Sequence, residues 1–71
     1  MKNASKLDEA ISLCRVELLT GTESQQHLYD MGKADGIYPE MIRRALEFLG
    51  AESFRAINQE TGHARIYWRL P

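Results

Sequence analysis

The fold of this 71-residue chain is decided by the stretch Gly36-Ile37-Tyr38-Pro39-Glu40-Met41-Ile42-Arg43-Arg44-Ala45-Leu46-Glu47-Phe48-Leu49-Gly50. A glycine opens the stretch and a glycine closes it, and Pro39 suits the first turn of a helix, where its missing N–H is not needed. Apolar side chains at helical spacing place one broad side of this helix in the core: Met41, Ile42, Ala45, Leu46, Phe48 and Leu49. The pattern predicts a helix over about residues 39–49 that ends at Gly50.

A second helix is predicted immediately before this stretch, over about residues 23–34, with Thr22 as its cap. Asp35-Gly36 is a turn signal, because glycine adopts the positive φ that a sharp corner between helices requires. Gly32 lies four residues earlier, where the absence of a side chain lets two helix backbones approach closely. Ile37 follows the turn and is expected to fill the corner. Two helices joined by such a corner predict a helix-turn-helix.

The first part of the chain predicts another helix, over about residues 6–19, with Ser5 as its cap. Its apolar residues define a buried stripe made of Leu7, Ile11, Cys14 and Leu18, with Ala10 beside it. Three further apolar residues lie off that stripe: Leu13, Val16 and Leu19. They either widen the buried face, which is the favoured interpretation, or form a second apolar patch on the surface.

The last 20 residues change to the two-residue period of β-strands. Strands are predicted over about residues 53–58 and 64–70, with a turn at 59–63. In the second strand one face, made of Ile66, Trp68 and Leu70, is expected to join the core, and the opposite face carries Arg65, Tyr67 and Arg69. The sequence therefore predicts one α+β domain over residues 1–71, a winged helix-turn-helix with three helices followed by a two-stranded β-hairpin wing.

Length and composition limit the classes of protein that fit. A chain of 71 residues buries only about 60% of its unfolded surface, so it has no room for a cofactor pocket beside a complete core. No apolar run approaches the roughly 20 residues of a membrane span, and Asp8 and Glu9 interrupt any signal-peptide core. The single cysteine forms no internal disulfide. We expect a cytoplasmic protein with no membrane partner and no cofactor.

The distribution of charge is uneven along the chain. The net charge is -1; residues 1–35 contain six acidic and four basic side chains, and residues 36–71 contain five Arg against four Glu. Arg is the better reader of bases and phosphates. The candidate nucleic-acid-binding residues are Tyr38, Glu40, Arg43, Arg44 and Glu47 on the third helix, and Arg55, His63, Arg65 and Arg69 on the wing. Duplex DNA is the expected ligand, and single-stranded nucleic acid is a second one.

The exposed face of the third helix is predicted to be electrically neutral. Glu40 and Arg44 are four residues apart, as are Arg43 and Glu47, so each Arg has a Glu partner within reach. A helix that binds phosphates usually keeps a positive excess. This neutrality argues against ordinary high-affinity DNA binding, although Glu can accept a hydrogen bond from cytosine.

Catalytic chemistry has little support in the sequence. There is no glycine-rich phosphate loop and no nucleophile elbow. Cys14 lies on an apolar helical stripe and is expected to be a buried, inert thiol. His27 and His63 lack the spacing of metal ligands, and each is expected to be a surface side chain. We therefore expect a protein that is not an enzyme and has no metal site.

A set of short motifs resembles the C-terminal winged-helix domain that follows the RecA-like ATPase or primase-helicase core in many phage, prophage and plasmid replication proteins. The matching pieces are Leu7-Asp8-Glu9-Ala10, Gly36-Ile37, Arg44-Ala45, Leu49-Gly50-Ala51, Ser53, Arg55 and Trp68-Arg69-Leu70-Pro71. The resemblance implies a role in phage or mobile-element DNA metabolism. Tyr38 and Met41 stand where such domains usually have Ser and Thr, two hydroxyls suited to phosphate contact.

Two classes of function therefore remain open. The first is a small nucleic-acid-binding domain of phage or mobile-element origin, linked to DNA replication or transcription control. The second is a protein-interaction module of the same fold, which assembles a replication complex or inhibits a host factor. Homodimerisation through the first helix is a further alternative, because Leu13 and Val16 lie off its buried stripe.

Overall fold

A computed structural model describes residues 5–71 of the chain. Along the described chain the elements are α1 (Lys6–Leu19), β1 (Glu23–Ser24), α2 (Gln25–Ala34), α3 (Pro39–Phe48), β2 (Glu52–Ile57) and β3 (Ala64–Arg69). The three predicted helices and both predicted strands are present, with ends that differ by one or two residues. The predicted domain over residues 1–71 begins with four residues that lie outside the described part. No helix within residues 5–71 is long and apolar enough to cross a bilayer.

The sheet has a strand that the sequence does not predict. β1 pairs antiparallel with β3, placing Glu23 opposite Trp68 and Ser24 opposite Tyr67, so the strand order within residues 5–71 is β1-β3-β2. The prediction that the helix begins at residue 23 is wrong, because Ser24 rather than Thr22 is its cap: the Ser24 hydroxyl accepts a hydrogen bond from the His27 N–H at 3.1 Å. The predicted two-stranded wing is corrected to a three-stranded antiparallel sheet, which is compatible with a small winged-helix-like domain.

The core lies between the three helices. Its buried side chains come from each helix and from the turn before α3: Ala10, Cys14, Leu18, Leu28, Ile37, Ile42, Ala45 and Leu46. The buried stripe of α1 is centred on Ala10, Cys14 and Leu18, whereas Leu7 and Ile11 are half-buried beside it. Burial, and the nearby charge of Glu17, raise the pKa of the Cys14 thiol to about 11, as expected of an inert core cysteine.

Several apolar side chains that were predicted to be buried are exposed. Phe48 is 69% exposed, and of the three off-stripe residues of α1, Val16 and Leu19 are 62% and 69% exposed. The favoured interpretation that these residues widen the buried face is therefore wrong for Val16 and Leu19. Ile66, on the β2–β3 hairpin, is also exposed.

The corner between α2 and α3 follows the predicted geometry. Gly36 has φ +73°, and the Ile37 N–H, two residues past the C-cap of α2, donates to the Gly32 carbonyl at 2.8 Å. Gly32 is buried against α3: a Cβ placed on it would lie 2.9 Å from Ile42 Cδ1. This close approach fixes the position of the first turns of α3 against α2 and leaves the opposite side of α3 exposed to solvent.

Candidate nucleic-acid interface

The exposed face of α3 carries four charged side chains. Glu40, Arg43, Arg44 and Glu47 together line a shallow depression of about 260 Å³. Arg44 Nη2 donates to Glu40 Oε2 at 3.1 Å, which confirms one of the two expected pairs. The other expected pair, Arg43 with Glu47, does not form within 4.0 Å. The difference follows from order along the helix, because Glu before a cation at i,i+4 is the favourable arrangement and the reverse is weaker.

Arg43 is consequently the more available cation on this helix. Within residues 5–71 no carboxylate lies within ion-pair distance of its guanidinium. Arg44, in contrast, gives up one donor to Glu40 and retains the rest. The formal charge of the face is still zero, as the sequence predicts, but Arg43 and Glu47 are not paired with each other.

Tyr38 stands at the start of α3 and is 77% exposed. It occupies the N-cap position, but its side chain makes no capping hydrogen bond, and the Tyr38 carbonyl accepts from the N–H groups of Met41 and Ile42. The phenol is thus free to contact a ligand beside the first turn of the helix.

The three arginines of the wing do not form one cluster. Arg55 lies opposite Ile66 in the β2–β3 ladder, and Arg65 lies opposite Ala56. Because residues directly opposite each other project to the same face, Arg55 shares the face of Trp68, which packs against the helices, whereas Arg65 and Arg69 project to the other face. The sheet therefore separates Arg55 from the other two.

The outer face of the sheet carries an aromatic pair. The Phe54 and Tyr67 rings stack with centroids 5.8 Å apart and an interplanar angle of 21°. Arg69 lies over the Phe54 ring at 5.1 Å and forms an ion pair with Glu52 at 3.4 Å. Arg69 thus has local partners on the sheet, and Arg65 is the outer-face arginine with no ion pair among residues 5–71.

Phe54 was missed by the sequence analysis. It lies on the same outer face as Tyr67 because the two are directly opposite in the ladder. That register follows from the length of the connecting turn, which includes the hydrogen bond from the Asn58 N–H to the His63 carbonyl at 2.8 Å. His63 is exposed at the turn end of the wing, where the sequence places it.

A second group of titratable side chains links α1, β1 and α2. The His27 side chain is 41% exposed, in agreement with the predicted surface position, and its Nε2 lies 2.8 Å from Glu17 Oε1 and 3.8 Å from Glu23 Oε1. The possible metal-ligand atoms of Glu17, Glu23 and His27 lie within 4.8 Å of one another, a spacing that would also suit a divalent cation. The contact with Glu17 already uses the Nε2 atom in a hydrogen bond, which links α1 to α2.

His27 makes stability depend on pH. The hydrogen bond with Glu17, helped by the charges of Glu23, Glu17 and Asp30 and opposed by partial burial, raises the pKa of His27 above its usual 6.5. The folded state therefore holds the proton more tightly, so this stabilisation is complete below the unfolded pKa and is lost as pH rises through the folded pKa. When the pH is raised from about 6 to about 8, we expect the urea midpoint of the wild type to decrease, and to decrease by more than the urea midpoint of His27→Gln.

The matched control for this prediction is His63→Gln. His63 is exposed and has no carboxylate within ion-pair distance among residues 5–71. Its replacement is expected to leave the pH dependence of the urea midpoint as in the wild type. If His27→Gln and the wild type show parallel midpoints across this range, the proposed linkage is wrong.

The excess of charge differs between the two parts of the described chain. Residues 5–35 carry six acidic side chains (Asp8, Glu9, Glu17, Glu23, Asp30 and Asp35) and three basic ones (Lys6, Arg15 and Lys33), whereas residues 36–71 carry five Arg and four Glu. No protein-family model, curated protein or solved structure matches this chain.

Proposed function

We propose that this chain is a small winged helix-turn-helix domain that binds nucleic acid, with duplex DNA as its main ligand. The observation that supports the proposal is the position of Arg43, unpaired among residues 5–71 on the solvent side of α3. α3 is the second helix of the pair joined at Gly36, and in helix-turn-helix proteins that helix enters the major groove. Arg44 and Tyr38 flank Arg43 on the same helix and extend the contact.

The wing supplies the second contact in this proposal. Arg65 projects from the outer face of the β2–β3 hairpin, on the side of the sheet opposite to Trp68. Arg suits both phosphate contacts and the minor groove, where wings commonly lie. The stacked Phe54 and Tyr67 rings offer a surface on which an unpaired base can stack, which favours single-stranded nucleic acid as a second ligand.

The resemblance to winged-helix domains of phage and plasmid replication proteins supports a biological setting for this function. We infer a non-enzymatic role in the DNA replication or transcription control of a phage or mobile element, carried out in the cytoplasm without a cofactor. Any ATPase or primase activity belongs to another domain or protein in this proposal.

Removal of the helix cations tests the proposal. We expect the wild type to bind a fluorescein-labelled duplex with a Kd on the order of micromolar at low salt, falling in affinity as salt rises. Arg43→Ala plus Arg44→Ala is expected to weaken binding by about tenfold, because two phosphate or base contacts are lost. Fluorescence anisotropy with duplex and single-stranded DNA measures both values.

Arg15→Ala is the matched control for each helix arginine. Arg15 is an exposed residue of α1, outside α3 and the β2–β3 hairpin. Its loss changes the net charge by the same amount as Arg43→Ala but removes no contact in the proposed interface. Equal weakening by Arg15→Ala and Arg43→Ala would contradict the proposed interface, and no binding of either DNA at tens of micromolar (on the order of 10⁻⁵ M) would exclude the function.

A protein-interaction module of the same fold is the second candidate. It is favoured by the Arg44–Glu40 pair, which neutralises part of the α3 face, and by the exposed rings of Tyr38 and Phe48 at the two ends of α3. Exposed aromatic side chains are typical of protein interfaces. The test is a pull-down of protein partners. This function predicts that the wild type binds no DNA and captures a partner, that Tyr38→Ala plus Phe48→Ala loses this partner, and that Arg43→Ala retains it.

A further inference from the structure

A groove lies between α1 and α2, away from the proposed nucleic-acid interface. Its volume is about 490 Å³, and its apolar floor consists of Leu13, Val16, Met31 and Ile37. Val16 is 62% exposed and Met31 is 38% exposed, so the floor is open to solvent. Among the residues that line it, none belongs to α3 or to the sheet.

The rim of this groove is acidic. Every charged residue that lines it carries a carboxylate: Asp8, Glu9, Glu17 and Asp35. Two of these carboxylates have a side-chain partner: Lys6 Nζ lies 3.5 Å from Glu9, and His27 Nε2 lies 2.8 Å from Glu17. Lys6 Nζ also donates to the Asp35 backbone carbonyl at 3.2 Å. Within residues 5–71 the carboxylates of Asp8 and Asp35 have no ion-pair partner. The groove therefore combines an exposed apolar floor with an excess of negative charge.

We propose that this groove docks a basic amphipathic helix from a second protein. In this arrangement the apolar side chains of the partner cover Val16 and Met31, and its Lys or Arg side chains face Asp8 and Asp35. The 14 residues of α1 make a helix about 21 Å long, which matches a partner segment of three to four turns.

Charge also argues against a second copy of the chain as the occupant. A symmetric dimer places the same surface patch of each copy against the other, so two acidic rims would meet. Like charges placed together in an interface are unfavourable. The proposal is independent of DNA binding, because the groove and the α3 face share no residue.

A designed peptide tests the chemistry of this partner. The probe is a fluorescein-labelled 14-residue peptide of Leu and Lys with Leu at helical i, i+3, i+4 and i+7 spacing, and its controls are a scrambled peptide of equal composition and a version with Glu in place of Lys. We expect the amphipathic peptide to bind about tenfold more tightly than the scrambled one, and the Glu version not to bind. Asp35→Asn is expected to reduce the salt dependence of binding.

Two exposed residues of α1 provide the matched variants. Val16→Ser removes apolar surface from the groove floor and is expected to lower the affinity for the amphipathic peptide by about fivefold. Leu19→Ser removes exposed apolar surface from the same helix outside the groove, and is expected to leave affinity unchanged. Both residues are more than half exposed, so both variants should fold, and amide chemical shifts verify this.

Mapping of the bound peptide by amide chemical shifts gives a readout that needs no variant. Shifts confined to the lining residues of α1 and α2 support the proposal. Shifts on α3 or the wing, equal binding of the scrambled peptide, or equal weakening by Leu19→Ser would each overturn it. A concentration-dependent mass by light scattering that Val16→Ser abolishes would assign the groove to a second copy instead.

Discussion

Leu46→Ala is expected to lower the free energy of unfolding by about 2–5 kcal/mol. Leu46 is fully buried in the core that α3 forms with the other helices, so its truncation removes apolar contacts and leaves a cavity. A domain of this length has a total stability of roughly 4–11 kcal/mol, so the loss is a large fraction of it. Urea denaturation followed by circular dichroism measures the change.

Phe48→Ala is the matched control for this prediction. Phe48 belongs to the same helix and has the larger side chain, but it is mostly exposed. Its truncation is expected to change the free energy of unfolding by no more than about 0.5 kcal/mol. Comparable losses for the two variants would mean that Phe48, and not Leu46 alone, packs in the core.

The contrast between Leu46 and Phe48 shows that the helical spacing of apolar residues predicts a face of the helix but not which residues of that face are buried. The spacing of apolar residues places Leu46 and Phe48 on one broad side of α3, but the two residues lie about 160° apart around the helix, at opposite edges of that side, and the spacing does not say how much of its width the neighbouring helices cover. Leu46 faces the core and Phe48 does not, although Leu49, one residue further along, packs against the core. The same limit explains Val16 and Leu19 of α1.

The corner of the helix-turn-helix could be predicted because its causes are local. Gly36 adopts a positive φ, and Pro39 begins α3, at positions that short-range rules identify. β1 could not be predicted, because a two-residue strand has no period and exists only through pairing with Tyr67 and Trp68, more than 40 positions away. Non-local pairing of this kind leaves no signal in the sequence around it.

For the candidate site, the sequence names residues, and the structure shows how those residues are arranged. Its residues were named from charge and position, but the grouping of Arg55 with Arg65 depended on the register between β2 and β3. A shift of one residue in that register reverses the face of each side chain, and the register depends on the type of the turn as well as on its length. The unequal pairing of Arg43 and Arg44 could have been found, because the order of Glu and Arg along the helix is visible in the sequence.

Gly32→Ala is expected to lower the free energy of unfolding by about 1–2 kcal/mol, although alanine is the better helix former. The added Cβ would lie 2.9 Å from Ile42 Cδ1 and 3.1 Å from Ile42 Cγ1, in a buried corner. Overpacking of this kind costs about 1–3 kcal/mol, and the gain in helix propensity of up to about 1 kcal/mol offsets only part of it.

A double-mutant cycle with Ile42→Val tests the cause of that loss. Valine lacks the Cδ1 atom that the new methyl group would meet, and Ile42→Val alone is expected to cost about 0.5–1.5 kcal/mol. In the Ile42→Val background Gly32→Ala should therefore cost about 1 kcal/mol less than in the wild type. Urea denaturation of the four proteins in the cycle gives this coupling energy.

Lys33→Ala provides the control for helix propensity in the same cycle. Lys33 is the neighbouring residue of α2 and is exposed, so its replacement should show no coupling with Ile42→Val. If the changes in the free energy of unfolding for Gly32→Ala and Ile42→Val are additive to within about 0.3–0.5 kcal/mol, the contact with Ile42 is not the reason that a side chain at position 32 is destabilising. The close approach of α2 and α3, on which the exposed position of Arg43 depends, would then need another explanation.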